Sequence, residues 1–291
     1  MPGVVSEQRP RTRLRDTVNG VNEPKGKAAE IEISSDYVRT RNTLLVRAEF
    51  EPLLVDLDLH LLQNEQRLEP AHRLILQEAL AGVSLHLCSR PRDEMTAFTM
   101  NFREPPLNVF ITGDSKRGNV CGRVFTKDIA ITGGNRVFAQ ISRPQMPARQ
   151  SVAEVDGRDP LGVIEQYYRK SEQLPVRFFR LGEGELAMMV AHPDFDAPWF
   201  ETLDVGLLKT IARDEDLGAI EKRSYHFGCG CDQVMILRML RGATGGDVDA
   251  LYGDRDQLTI ECPRCASVFR VGREELQKFI EQGKPPDSGS D

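Results

Sequence analysis

At 291 residues, with 40% hydrophobic and 28% charged side chains, the chain is long enough for one large core and a smaller module. Its net charge of −6 argues against a general affinity for nucleic acid or anionic membrane. Apolar runs stay below the roughly 18 residues that a membrane span needs, and the first residues lack the basic-then-apolar pattern of a secretory signal, so a reducing, cytoplasmic compartment is expected.

Residues 1–33 mix Pro, Gly, Asn and charge around Arg9, Arg11, Arg13 and Arg15 without a hydrophobic period, which predicts a disordered tail. From Tyr37 the pattern changes. Residues 43–50 alternate as a strand and are followed by the apolar run 53–62, and beyond Pro70 the spacing of Leu74, Ala79, Leu80, Val83 and Leu87 predicts a helix. Strands are expected over 95–102, 107–111, 119–126 and 136–142, separated by Pro105-Pro106, Gly113-Asp114 and Gly133-Gly134.

Residues 143–160 read as a long loop, 161–170 as a helix, and 176–180 and 186–191 as strands that close the domain. Ser171 and Glu172 could form a catalytic pair, but no nearby His or Lys is expected to activate the serine, so they are read as helix-end capping and packing groups. Leu203, Leu207, Leu208 and Ile211 predict one short amphipathic helix in a linker, 198–222. The last third then reads strand 225–227, helix 234–240, strands 258–261 and 268–271 and helix 274–280, with 283–291 as a second disordered tail. The expected class is α+β: a sheet-and-helix domain over 34–197, the helical linker, and a small C-terminal cysteine module over 223–282.

The module holds the strongest chemical signal. Cys229-Gly-Cys231 and Cys262-Pro-Arg-Cys265 are separated by thirty residues, and four thiols in two tight pairs suit one tetrahedral zinc per chain in the reduced state. A C-x-C pair in an extended strand would hold its sulfurs apart, so a turn at Gly228 and Gly230 must bring them together. A Cys229–Cys231 disulfide would close a very small, strained ring of the kind that makes regulatory bonds. His226 is read as a strand residue rather than a ligand, and Cys88 and Cys121 as core thiols. Four sulfur ligands leave no open position for a hydrolytic zinc, so the protein is not expected to be an enzyme. Residues 223–291 carry nine Lys and Arg against eleven Asp and Glu, which disfavours a nucleic-acid ribbon.

The cysteine order, preceded by Tyr167-Tyr-Arg-Lys-Ser-Glu-Gln-Leu-Pro175, resembles the heat-shock protein 33 family of redox-regulated holdase chaperones. Gly122-Arg-Val-Phe125, Gly133-Gly134 and Val46-Arg-Ala-Glu49 resemble that family's N-terminal domain more loosely. The resemblance implies an N-terminal domain that binds unfolding client proteins without ATP, and Cys229, Cys231, Cys262 and Cys265 as both zinc ligands and redox thiols. Oxidation then forms two disulfides, ejects the zinc and unfolds the switch region, with a homodimer as a candidate oxidised state. Short loops cost least entropy to close, so the expected bonds are Cys229–Cys231 and Cys262–Cys265. Helix 203–211 is expected to pack on the N-terminal domain with the zinc module over its far side, its apolar stripe becoming the client surface on oxidation. The alternative reading is an interaction protein whose zinc is purely structural.

Overall fold

Buried and exposed side chains alternate along β3 (Met95–Phe102) and β4 (Leu107–Asp114), the period that lets one face of a sheet enter a core. In the computed structural model, which describes residues 28–127, 129, 133–245 and 247–282, these strands lie in a ten-stranded sheet. The other strands are β1 (Glu30–Val38), β2 (Thr43–Glu49), β5 (Asn119–Phe125), β6 (Arg136–Ser142), β7 (Arg149–Glu154), β8 (Val176–Arg180), β9 (Glu185–Ala191) and β10 (Leu217–Phe227), in the order β7-β6-β3-β4-β5-β10-β1-β2-β9-β8. Its two halves meet at a short parallel pairing, His226 opposite Asn119 and Phe227 opposite Val120.

The sheet has a core on each face. On one, α1 (Glu51–Gln63), α2 (Pro70–Cys88) and α3 (Pro160–Tyr167) bury Leu53, Leu57, Leu80 and Ile164 against Val46, Phe98 and Met188. On the other, α4 (Ala197–Thr202) and α5 (Val205–Asp214) bury Phe200, Leu208 and Ile211 against Leu45, Ala187 and Met189. Leu45 and Val46 are neighbours in β2 yet serve different cores, because successive side chains point to opposite faces. A third core joins α6 (Gln233–Thr244), α7 (Val248–Tyr252), the hairpin of β11 (Gln257–Glu261) and β12 (Val268–Gly272), and α8 (Arg273–Gln282). The molecule is thus α+β, with the cysteine module at its C-terminal end.

The structure departs from expectation near the N-terminus and in the middle of the chain. Of the tail expected over 1–33, residues 1–27 lie outside the described residues, as do 283–291, but Glu30–Val38 is β1, with Ile31 and Ile33 buried. Residues 149–154, read as loop, form β7, an edge strand whose mostly exposed side chains hide the period. The stretch 198–222, read as a linker, contains α4, α5 and the first half of β10, which lies between β5 and β1. Its charged run is compatible with that place because the ions are paired: Lys222 with Glu32, Glu221 with Arg92 and Arg223. The Arg223 guanidinium also donates to the carbonyls of Leu87 and Arg90.

Candidate metal centre

Each pair of cysteines sits where a strand ends. Beyond Phe227 the Gly228 N–H donates to the Val120 carbonyl at 2.9 Å and the Asn119 side chain donates to the Gly228 carbonyl at 2.8 Å, which fixes the chain just before Cys229. Gly230 then takes a φ of +68°, a conformation that favours glycine, and turns Cys231 back toward Cys229. Asp232 follows and caps α6 by accepting the Met235 N–H. The second pair occupies the turn between β11 and β12. There the Cys262 N–H donates to the Ser267 carbonyl and the Ala266 N–H donates to the Cys262 carbonyl, folding Cys262 and Cys265 around one point.

All four Sγ atoms lie within 4.8 Å of one another, with Cys229 to Cys262 at 3.7 Å and Cys231 to Cys265 at 3.5 Å. Zinc–sulfur bonds of about 2.3 Å in a tetrahedron set the sulfurs about 3.8 Å apart, so the donor set fits such an ion in number, chemistry and spacing. Packed this closely, the sulfurs act on one another: the neighbouring thiols of Cys229, Cys231 and Cys265 hold Cys262 far below the usual thiol range. The Ser267 hydroxyl lies 3.2 Å from Cys265 Sγ, an outer group that can orient that ligand. His226, in β10, is not part of the group, and Cys88 is buried in the main core.

Cys262 and Cys265 belong to the main core rather than to the module's own, so the cluster is also the joint between them. His60 Nε2 donates to the Cys265 carbonyl at 2.7 Å, Asn64 Oδ1 accepts the Val268 N–H at 2.8 Å, and Arg123 donates to the Cys262 carbonyl at 2.8 Å and to Glu261. These three positioning residues have no sequence signal, since they act on main-chain atoms far away along the chain. The module therefore docks on α1 and β5. The cover expected over α5 is absent from the core in which α5 lies: among the described residues that core contains only the sheet, α4, α5 and their connections. Ser171 and Glu172 end a one-turn π-helix, Tyr168–Glu172, where Glu172 accepts the Tyr167 hydroxyl and pairs with Arg149, a packing arrangement.

Fold and site together define an α+β protein with a C-terminal cluster of four cysteines in metal-binding geometry. The family model described as Hsp33 protein matches residues 185–272. Proteins named 33 kDa chaperonin match at 21% identity: one from Methylobacillus flagellatus over 52% of this chain and 59% of its own length, and one from Escherichia coli over 54% and 62%. The chain thus spans about three fifths of the length of these curated relatives. The crystal structure of the 33 kDa chaperonin, an Hsp33 homologue, from Thermotoga maritima superposes with a TM-score of 0.67 at 12% identity, covering 87% of this chain and 98% of that one. The chain thus resembles the heat-shock protein 33 family in sequence over its C-terminal part and in fold over most of its length.

Proposed function

We propose that this protein is a redox-regulated, ATP-independent holdase, a chaperone rather than an enzyme. In this reading Cys229, Cys231, Cys262 and Cys265 hold one zinc when reduced, and their oxidation releases it and lets the protein bind unfolding client proteins in the cytoplasm. The convergence of four sulfurs at the joint between the module and the main domain carries the reading. Zinc bound there would supply about 10–16 kcal/mol of apparent folding free energy. The module's own core has eight buried hydrophobic residues among the described ones, too few to expect a stable fold without such a staple. Thiolates are also the form that oxidants attack, so the group that completes the fold is the group that senses.

Oxidation would first uncover what the module covers. Val55, Leu59 and Leu62 form an exposed stripe on α1, and Leu59 lines a cavity with Cys229 and Cys231. In this proposal the client surface is the ground beneath the module, which the already exposed stripe of α1 extends, whereas the stripe of α5 stays packed on the sheet. The test is zinc content and suppression of aggregation of a thermally unfolding client, before and after peroxide. Zinc loss together with gained holdase activity supports the proposal. Activity that is equal, or absent, in both states would leave a static structural zinc module.

A further inference from the structure

A fifth thiol stands beside one corner of the group of four. Cys121 lies in β5, and β5 pairs with β10 through Val120 opposite Phe227. The ladder continues through the Gly228 N–H donating to the Val120 carbonyl at 2.9 Å, so the chain delivers Cys229 next to Cys121. Cys121 and Cys229 line one cavity together with Arg264 and Thr112.

The two sulfurs differ in access. Cys121 is 2% exposed and lies outside the group of four, whereas Cys229 is only partly buried and lines a second, open cavity of about 510 Å³ with His60, Gly230 and Cys231. An oxidant arriving from solvent meets Cys229, with Cys121 behind it. Loop length governs pairing in an unfolded segment, but in a folded one position governs it. The strained C-x-C ring gives Cys231 a poor geometry for bonding to Cys229. Cys121, unlike Cys262 and Cys265, is not engaged with the metal in the proposed site.

We infer that Cys121 is the resolving thiol for Cys229, and that peroxide oxidation joins them in a disulfide that ties the cysteine module to the sheet. This rests on the redox reading above. The Cys229 sulfur attacks one oxygen of hydrogen peroxide; the O–O bond breaks, giving a sulfenic acid and one water. The Cys121 sulfur then attacks that sulfur, the S–S bond forms, and the sulfenic oxygen leaves as a second water. Two thiols give up two electrons and two protons, and one peroxide is reduced to two waters. The bond delays release of the module instead of causing it.

The full chain loaded with zinc is treated with limiting hydrogen peroxide, quenched by alkylation and mapped by peptide mass spectrometry. A Cys121–Cys229 peptide is expected as the first cross-link. Cys121→Ser should bind the same zinc, lose that cross-link, and lose amide protection in the module several-fold faster after peroxide; Cys121→Ala repeats the test without a buried hydroxyl. First bonds at Cys229–Cys231 or Cys229–Cys262 with Cys121 fully alkylated overturn the inference and leave the redox reading standing. All thiols still alkylated after peroxide would overturn both.

Discussion

Cys262 is 0% exposed and its sulfur lies within 4.8 Å of the other three, so in the proposed site its replacement removes a metal donor from the middle of the cluster. Cys262→Ser is expected to lose most of the zinc and to open the module, measured as metal content and amide exchange. A second residue, remote from the cluster, sets an acid limit. His86 is fully buried in the main core; its Nδ1 shares a hydrogen bond of 2.6 Å with the Tyr168 hydroxyl, and Nε2 has no partner among the described residues. Burial, reinforced by Arg90 and Arg149, lowers its pKa from 6.5 to about 3. The unfolded chain takes up a proton below about pH 6.5 and the folded one does not, so the contribution of neutral His86 is intact above that pH and lost as pH falls toward 3. The slope is about 1.4 kcal/mol per pH unit for one proton. In His86→Leu, where Ser89 stays beside the Tyr168 hydroxyl, urea unfolding at about pH 7 and about pH 5 should differ by one proton fewer than in the parent.

Among the elements, the end of α1 acts as a latch on the second knuckle. Asn64 takes the Val268 N–H, and Asn64→Ala should leave that amide unpaired at a cost of about 1 kcal/mol. The effect should be local: faster exchange in 262–268 with β3 and β4 unchanged. Neither Asn64 nor His60 could be found from the sequence, because a side chain that grips a main-chain N–H or carbonyl leaves no pattern in the residues it grips. The four cysteines could be found, since their spacing is itself the pattern. β3, β4 and α2 were legible for a similar reason: each has one face in a core, and its apolar residues keep the matching period. β10 was legible only at its end, Tyr225–Phe227. Its first half is charged, and what allows it into the middle of the sheet is pairing with Glu32 and Arg92 from elsewhere in the chain. Cys121 looked like an ordinary core thiol and is buried as such; that Cys229 lies beside it follows only from the parallel pairing of β5 with β10.

At the scale of the molecule, the question is how far an oxidative signal at the cluster can spread. Reading the sequence, 198–222 is a tether that could come loose with the module. The fold makes it part of the sheet instead: β1 pairs along β10 from Val38–Leu217 to Glu30–His226, and α5 buries Leu208 and Ile211 on the far face. Extracting β10 would cut the sheet in two, since it joins β5 to β1. Loosening the module, by contrast, breaks the docking contacts of His60, Asn64 and Arg123 and exposes a small core. Opening free energies differ between cooperative units, and the unit with the least buried core opens first. Amide exchange after zinc loss should therefore rise strongly over 229–282, while 217–227 and 205–214 remain as protected as β3 and β4. The boundary is expected at Gly228, whose N–H is still held by Val120. Strong deprotection running back through 205–227 would instead show that the sheet itself opens on oxidation. Full protection across 229–282 after the metal has gone would show that the module does not need it.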